Sequence, residues 1–121
     1  MQLQQRIEPL VEGIPGLPPL NIFRTIARNE PLARGFLSLG GQLLRGEGLP
    51  AREREIVILR TGWRAQSEYE FGQHTTIGLG AGVTAEEVAW LADVGEPGWS
   101  EDDAALVAMV DELCADGVVS D

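Results

Sequence analysis

Two hydroxyl residues each stand three positions before a glutamate, in Ser67-x-x-Glu70 and Thr84-x-x-Glu87. In that spacing the hydroxyl accepts the backbone N–H three residues on, and the carboxylate returns to the N–H of the capping residue. Such boxes satisfy donors that a helix leaves unpaired at its start, so they fix where helices begin. A third start follows at Ser100, ahead of Glu101, Asp102 and Asp103, which sit at the positive end of a helix dipole. The spacing predicts helices over about 67–80, 84–92 and 104–115. Gly82, the turn Gly95-Glu96-Pro97-Gly98 and Gly117 close them.

The first half of the chain reads the same way. Asn21 can cap a short helix through Arg28, with Ile22, Phe23 and Ile26 on its apolar side. Asn29 caps the next, with Pro31 in its first turn, where a missing N–H costs nothing. Leu32, Phe36, Leu39, Leu43 and Leu44 then recur at helical spacing as far as Arg45, and Gly46 and Gly48 end the run. Leu49-Pro50 opens a helix over 51–64. Its β-branched run Ile56-Val57-Ile58 makes a short strand the rival reading, but the charged run Arg52-Glu53-Arg54-Glu55 favours a helical first turn. Convincing strand alternation occurs nowhere. The predicted fold is all-α, about six helices in a single domain over residues 21–121. It follows an extended arm over residues 1–20, where Pro9, Pro15, Pro18 and Pro19 sit with Gly13 and Gly16.

Composition excludes several functions. A net charge of −10 argues against nucleic-acid binding, which needs clustered Lys and Arg. One cysteine, Cys114, permits no intrachain disulfide, so a reducing compartment is expected, and Cys114 reads as a buried small hydrophobe. No run approaches the roughly 20 apolar residues of a membrane span, and the first residues lack a signal-type apolar stretch. The expectation is a cytoplasmic protein with no membrane and no nucleic-acid partner.

Chemistry concentrates between Glu55 and His74. On a helix starting at Ser67, residues Ser67, Glu70 and His74 share one face, with Glu70 and His74 direct neighbours. A carboxylate beside the lone imidazole is a proton-transfer pair in principle, and it would orient the imidazole's tautomer. Glu55 reaches the same face if the two helices pack antiparallel. Each residue also has a plain alternative: Glu70 as half of a capping box, Glu55 as a solvated first-turn acid, His74 as a structural histidine. Trp63, Tyr69 and Phe71 are candidates for a substrate wall or for core. Glu70 and His74 are too few ligands for a metal site, so no metal is expected.

The stretches LPAREREIVILRTGW, SEYEFGQH and AGVTAEEV resemble the carboxymuconolactone decarboxylase family, which includes alkylhydroperoxidase D-like proteins. The strong part spans about 40 residues, from Leu49 to Val88. NIFRTIARNEPLARGF and LSLGGQLLRG are also typical of such members. The resemblance implies an alkylhydroperoxidase D-like helical bundle. In that branch a glutamate is followed twelve residues later by the first cysteine of C-x-x-C, and a histidine lies four beyond the second. Glu55 and His74 fall on the glutamate and the histidine, while Ser67 and Glu70 fall on the two cysteines. A thiol peroxidase needs a nucleophilic thiolate and a resolving thiol, and these positions supply neither.

The decarboxylase branch also lacks C-x-x-C and needs no cofactor. It removes CO2 from a carboxylated lactone of aromatic breakdown and shifts a proton. The resemblance therefore implies a cofactor-independent lyase or isomerase acting on a small molecule. His74, Glu55 and Glu70 would be catalytic, and Arg60, Trp63, Tyr69 and Ser67 would contact substrate; Arg64 is a second candidate cation. A thiol peroxidase and a helical subunit without chemistry are the alternatives. Relatives of this type continue past the Asp121 segment into further helices, so the chain is either naturally short or truncated. The expectation is a homo-oligomer, or a second polypeptide completing the fold.

Overall fold

The structure, a computed structural model, describes residues 21–45 and 47–121. Six helices and no strand occur among them: α1 (Asn21–Ile26), α2 (Glu30–Arg45), α3 (Ala51–Arg64), α4 (Glu68–Gly80), α5 (Ala85–Leu91) and α6 (Glu101–Asp116). The expected arm over residues 1–20 lies outside the described residues. The described residues divide into two compact units, one holding residues 21–45 and the other residues 47–121.

In the first unit α1 packs on α2. Asn21 is the first helical residue, and its carbonyl accepts the Thr25 hydroxyl at 2.9 Å. Asn29 caps α2 as expected, its Oδ1 accepting the Leu32 N–H at 3.2 Å. Leu32, Phe36, Leu39 and Leu43 run along α2 as an exposed apolar stripe, whereas Ala33 is buried.

The second unit is built around α3, which contacts α4, α5 and α6. Ile56 and Leu59 are fully buried, three positions apart on one face, and join Val83 and Leu91 in the core. Phe71, Val88, Trp99 and Val107 pack around them. The Ile-Val-Ile run is helical because this burial outweighs a propensity penalty of well under about 1 kcal/mol per residue. Two arginines fasten α3 to its neighbours. Arg52 donates to both oxygens of Asp103 (3.1 and 2.9 Å) and to Glu87. Arg60 donates to both oxygens of Asp111 (2.8 and 2.9 Å), to Asp93 (2.7 Å) and to the Leu91 carbonyl (2.9 Å).

The two expected capping boxes fold differently. At Thr84 both bonds form: the Glu87 N–H donates to the Thr84 hydroxyl (3.1 Å), and the Thr84 N–H to the Glu87 carboxylate (2.9 Å). At Ser67 only one forms, a long bond of 3.4 Å from the Glu70 N–H to the hydroxyl. The return bond is missing because the Ser67 N–H already donates to the Gly62 carbonyl at 2.9 Å, closing the end of α3. Helix α4 ends in the same closing bond, Val83 N–H to Gly78 carbonyl, after Gly82 at φ 101°. There one more residue separates the closing donor from the next cap, which leaves the Thr84 N–H free. At the α3–α4 corner Ser67 fills both roles, and the non-glycine Gln66 takes the left-handed position at φ 55°. Helix α6 starts at Glu101, three residues before the expected Ala104, with Ser100 accepting the Asp103 N–H.

Candidate functional site

Helices α3 and α4 run antiparallel, joined by the two-residue reversal before Ser67, and two glycines let them approach closely. A Cβ on Gly62 would lie 3.4 Å from the Phe71 nitrogen and 3.7 Å from the Glu70 Cβ. A Cβ on Gly78 would lie 3.2 Å from Leu59 Cδ1 and 3.5 Å from the Glu55 Cβ. Glu55 and His74 meet between these two contacts.

Glu55, in the second turn of α3, has 0% exposure. Its Oε2 lies 2.7 Å from His74 Nδ1, and its Oε1 accepts Arg54 Nε at 3.1 Å. A buried carboxylate is tolerated only when paired and hydrogen-bonded, and here both oxygens are. The His74 side chain is 13% exposed, and its Nε2 lies 3.7 Å from Glu70 Oε2. Glu70 is half exposed, free of the capping duty that the sequence allowed it. The three side chains therefore form a line from interior to surface: Glu55, His74, Glu70. Where Glu55 is the carboxylate of the pair, the neutral imidazole carries its proton on Nδ1 and presents a bare Nε2 outward. That arrangement can take a proton from a bound molecule at Nε2 and return it.

The other expected residues divide. Arg60 is not a free cation for substrate. Its Nε and both terminal nitrogens are engaged by Asp111, Asp93 and the Leu91 carbonyl, so it works as an interhelical fastening. Its hydrogen bonds to Asp111 first, then to Asp93, raise its pKa further above the ordinary arginine value against the cost of burial. Trp63 is 40% exposed; its indole N–H donates to Asp93 at 2.8 Å and its ring lies tilted against Phe71 at 5.8 Å. Trp63 and Ser67 line an open cleft of about 770 Å³ at the α3–α4 corner, together with Gly62, Arg64, Glu68 and Phe71. Tyr69 is exposed and does not line it, and neither do Glu55, Glu70 and His74. The cleft thus borders the proton line across Gly62 without containing it.

Arg54 was legible only as a member of a charged run. Consecutive helical residues diverge around the axis, so nothing in the spacing predicts its bond to Glu55. Cys114 is exposed, not buried as expected, and lies on α6. Among the described residues no group of three His, Cys, Asp or Glu side chains is placed to hold a metal ion, and no helix is long and apolar enough to cross a membrane.

The model of the carboxymuconolactone decarboxylase family matches residues 30–112, which include α2 to α5 and most of α6. No curated protein and no solved structure matches the chain.

Proposed function

The chain belongs to the carboxymuconolactone decarboxylase family, and from that premise we propose that it is a cofactor-independent enzyme of lyase or isomerase type. Its substrate is a small carboxylated or lactone-like molecule of the cytoplasm. The observation that carries the reading is the buried Glu55 carboxylate 2.7 Å from Nδ1 of the chain's one histidine. A base so oriented has one outward nitrogen and one direction of proton transfer.

In the decarboxylating form, the bond between the ring carbon and its carboxylate breaks. The electron pair passes into an enolate held by the lactone carbonyl, and CO2 departs. Before this step the imidazole takes a proton from solvent onto its bare Nε2 by way of Glu70; the imidazolium then gives that proton to carbon and returns to the Nδ1–H form. In the isomerising form His74 removes a proton from one carbon and returns it to another. Glu55 stays charged beneath the ring in both, balancing the imidazolium. Trp63, Phe71 and Ser67 supply a wall for the ring of the substrate. Arg64 takes over the carboxylate-binding role expected of Arg60, because it lines the cleft and its nearest acid, Asp111, is 3.6 Å away. Tyr69 is a second exposed contact at the same end of α4.

The chain assembles with a second copy of itself as a homo-oligomer. The exposed stripe of α2 supports this, since contiguous apolar surface in water favours association. Size-exclusion chromatography with light scattering tests it, and a monodisperse monomer would remove the second copy. A helical subunit without chemistry is the competing reading, favoured by one observation: the α3–α4 cleft does not contain His74. Release of CO2 from carboxylated γ-lactones, or isomerisation of the corresponding lactones, separates the two. Wild-type turnover that disappears in His74→Asn with unchanged helical circular dichroism is expected. Turnover that survives the substitution, or none by the wild type, sinks the catalytic reading.

A further inference from the structure

Arg54 has no part in the reaction just described, yet it touches the one buried acid that does. Its Nε donates to Glu55 Oε1 at 3.1 Å, its side chain is 19% exposed, and Glu55 is fully buried. The contact is not of the usual helical kind, because side chains at i and i+1 point about 100° apart.

The consequence lies in the proton count of the Glu55–His74 pair. Two arrangements hold the same number of protons. In one, Glu55 is a carboxylate and His74 carries its proton on Nδ1, leaving Nε2 bare. In the other, Glu55 is a neutral acid donating to a bare Nδ1, and His74 carries its proton on Nε2. The 2.7 Å contact fits either, since one proton lies between the atoms in both. They differ in what the imidazole shows the outside: a base in the first, a hydrogen-bond donor in the second. A guanidinium on Oε1 separates them. It is always charged and has no acceptor, so it favours the ionised, acceptor-only carboxylate. Without it, a buried carboxylate facing a neutral imidazole would stand as an uncompensated charge, which a buried group avoids by taking up a proton.

We propose that Arg54 is a positioning residue that selects the Nδ1–H tautomer of His74 by holding Glu55 as a carboxylate. It touches no substrate and acts through Glu55. Its value to catalysis rests on the reading of His74 as the proton carrier, whereas the tautomer itself does not.

The test needs no substrate. The chain has a single histidine, so the full chain labelled with 15N gives one pair of imidazole nitrogen signals with no assignment problem. Spectra are recorded on the alkaline side of the imidazole titration for wild type, Arg54→Gln and Arg54→Lys. In the wild type Nδ1 is expected to be the protonated nitrogen. In Arg54→Gln the ratio of Nδ1–H to Nε2–H forms should fall by roughly tenfold or more, as loss of one charge-assisted hydrogen bond requires. Arg54→Lys keeps the cation but not the planar Nε–H, and should shift the ratio in the same direction by a smaller factor. It decides the matter if the glutamine variant does not fold. A wild type protonated on Nε2, or variants with the wild-type ratio, overturn the proposal. Because the tautomer is read without turnover, a shifted ratio in a protein that transforms no lactone would leave the positioning role standing while the proposed function fell.

Discussion

His74 Nδ1 lies 2.7 Å from the Oε2 of Glu55, a carboxylate with no exposure to solvent. The acid sits on α3 and the imidazole on α4, nineteen residues apart in sequence and opposed across the antiparallel pair. Glu55→Gln keeps the shape of the acid and removes its charge. It should leave helical circular dichroism unchanged and lower kcat on a carboxylated lactone by roughly 10²- to 10⁴-fold, the usual span for a general acid–base group. A kcat within a few-fold of wild type would mean that the charge beneath the ring does not matter.

Arg60→Met tests the reassignment of Arg60 from substrate contact to fastening. Methionine keeps much of the packing but removes the donor of the Leu91 carbonyl and of Asp111, and leaves Asp93 with the Trp63 indole N–H alone. Breaking a fully buried pair costs about 3–5 kcal/mol. Asp93 and Asp111 keep part of their hydration, so about 2–3 kcal/mol is expected here. Thermal unfolding should show a Tm lower by on the order of 10 °C. A Tm equal to wild type would show the network to be decorative.

Acid should loosen the same arrangement. Hydrogen bonds from Arg52 hold Asp103 below the usual carboxylate value of 3.8. Those from Arg60, then Trp63, do the same for Asp93. A depressed folded-state pKa gives stability that is present above 3.8 and is lost as pH falls through the lower folded values. Urea unfolding should therefore weaken below about pH 4. Asp103→Asn should be less stable than wild type at neutral pH and lose less on acidification. Parallel curves for the two proteins would remove Asp103 from the account.

The two capping sites make a paired test. Thr84→Ala removes a hydroxyl from a complete box and should cost about 1 kcal/mol. Ser67→Ala removes only a 3.4 Å bond and should cost clearly less. Chemical denaturation midpoints decide it, and equal losses would contradict the geometry at the α3–α4 corner.

Helix starts were legible because caps act over three residues: Ser67, Thr84 and Ser100 each stand where the sequence puts them. Glu55 and His74 were legible through the family resemblance, since nothing local ties residues on two helices. What sequence could not show depended on longer reach or on competition for one donor. Arg60 pairs with Asp111, fifty-one positions away. Glu70 is free only because the carbonyl of Gly62 takes the Ser67 N–H first. Arg54 meets Glu55, its immediate neighbour in sequence, in a contact that helical spacing does not anticipate.

Glycine at 78 is where packing and chemistry share a cause. In a helix interior Gly→Ala ordinarily stabilises by about 1 kcal/mol, and Gly72→Ala, with nothing within 4 Å of the added methyl, should do so. At Gly78 the methyl would meet Leu59 Cδ1 at 3.2 Å. Leu59 is fully buried in the core and has nowhere to retreat. Overpacking of this kind costs about 1–3 kcal/mol, which cancels or exceeds the propensity gain. Relief comes from moving α4 off α3, and the same movement lengthens the Glu55–His74 contact one turn away. Gly78→Ala should thus fail to stabilise, and it should lose turnover while Gly72→Ala gains thermal stability. If both substitutions raise Tm alike, the close approach of α3 and α4 is not what holds Glu55 against His74.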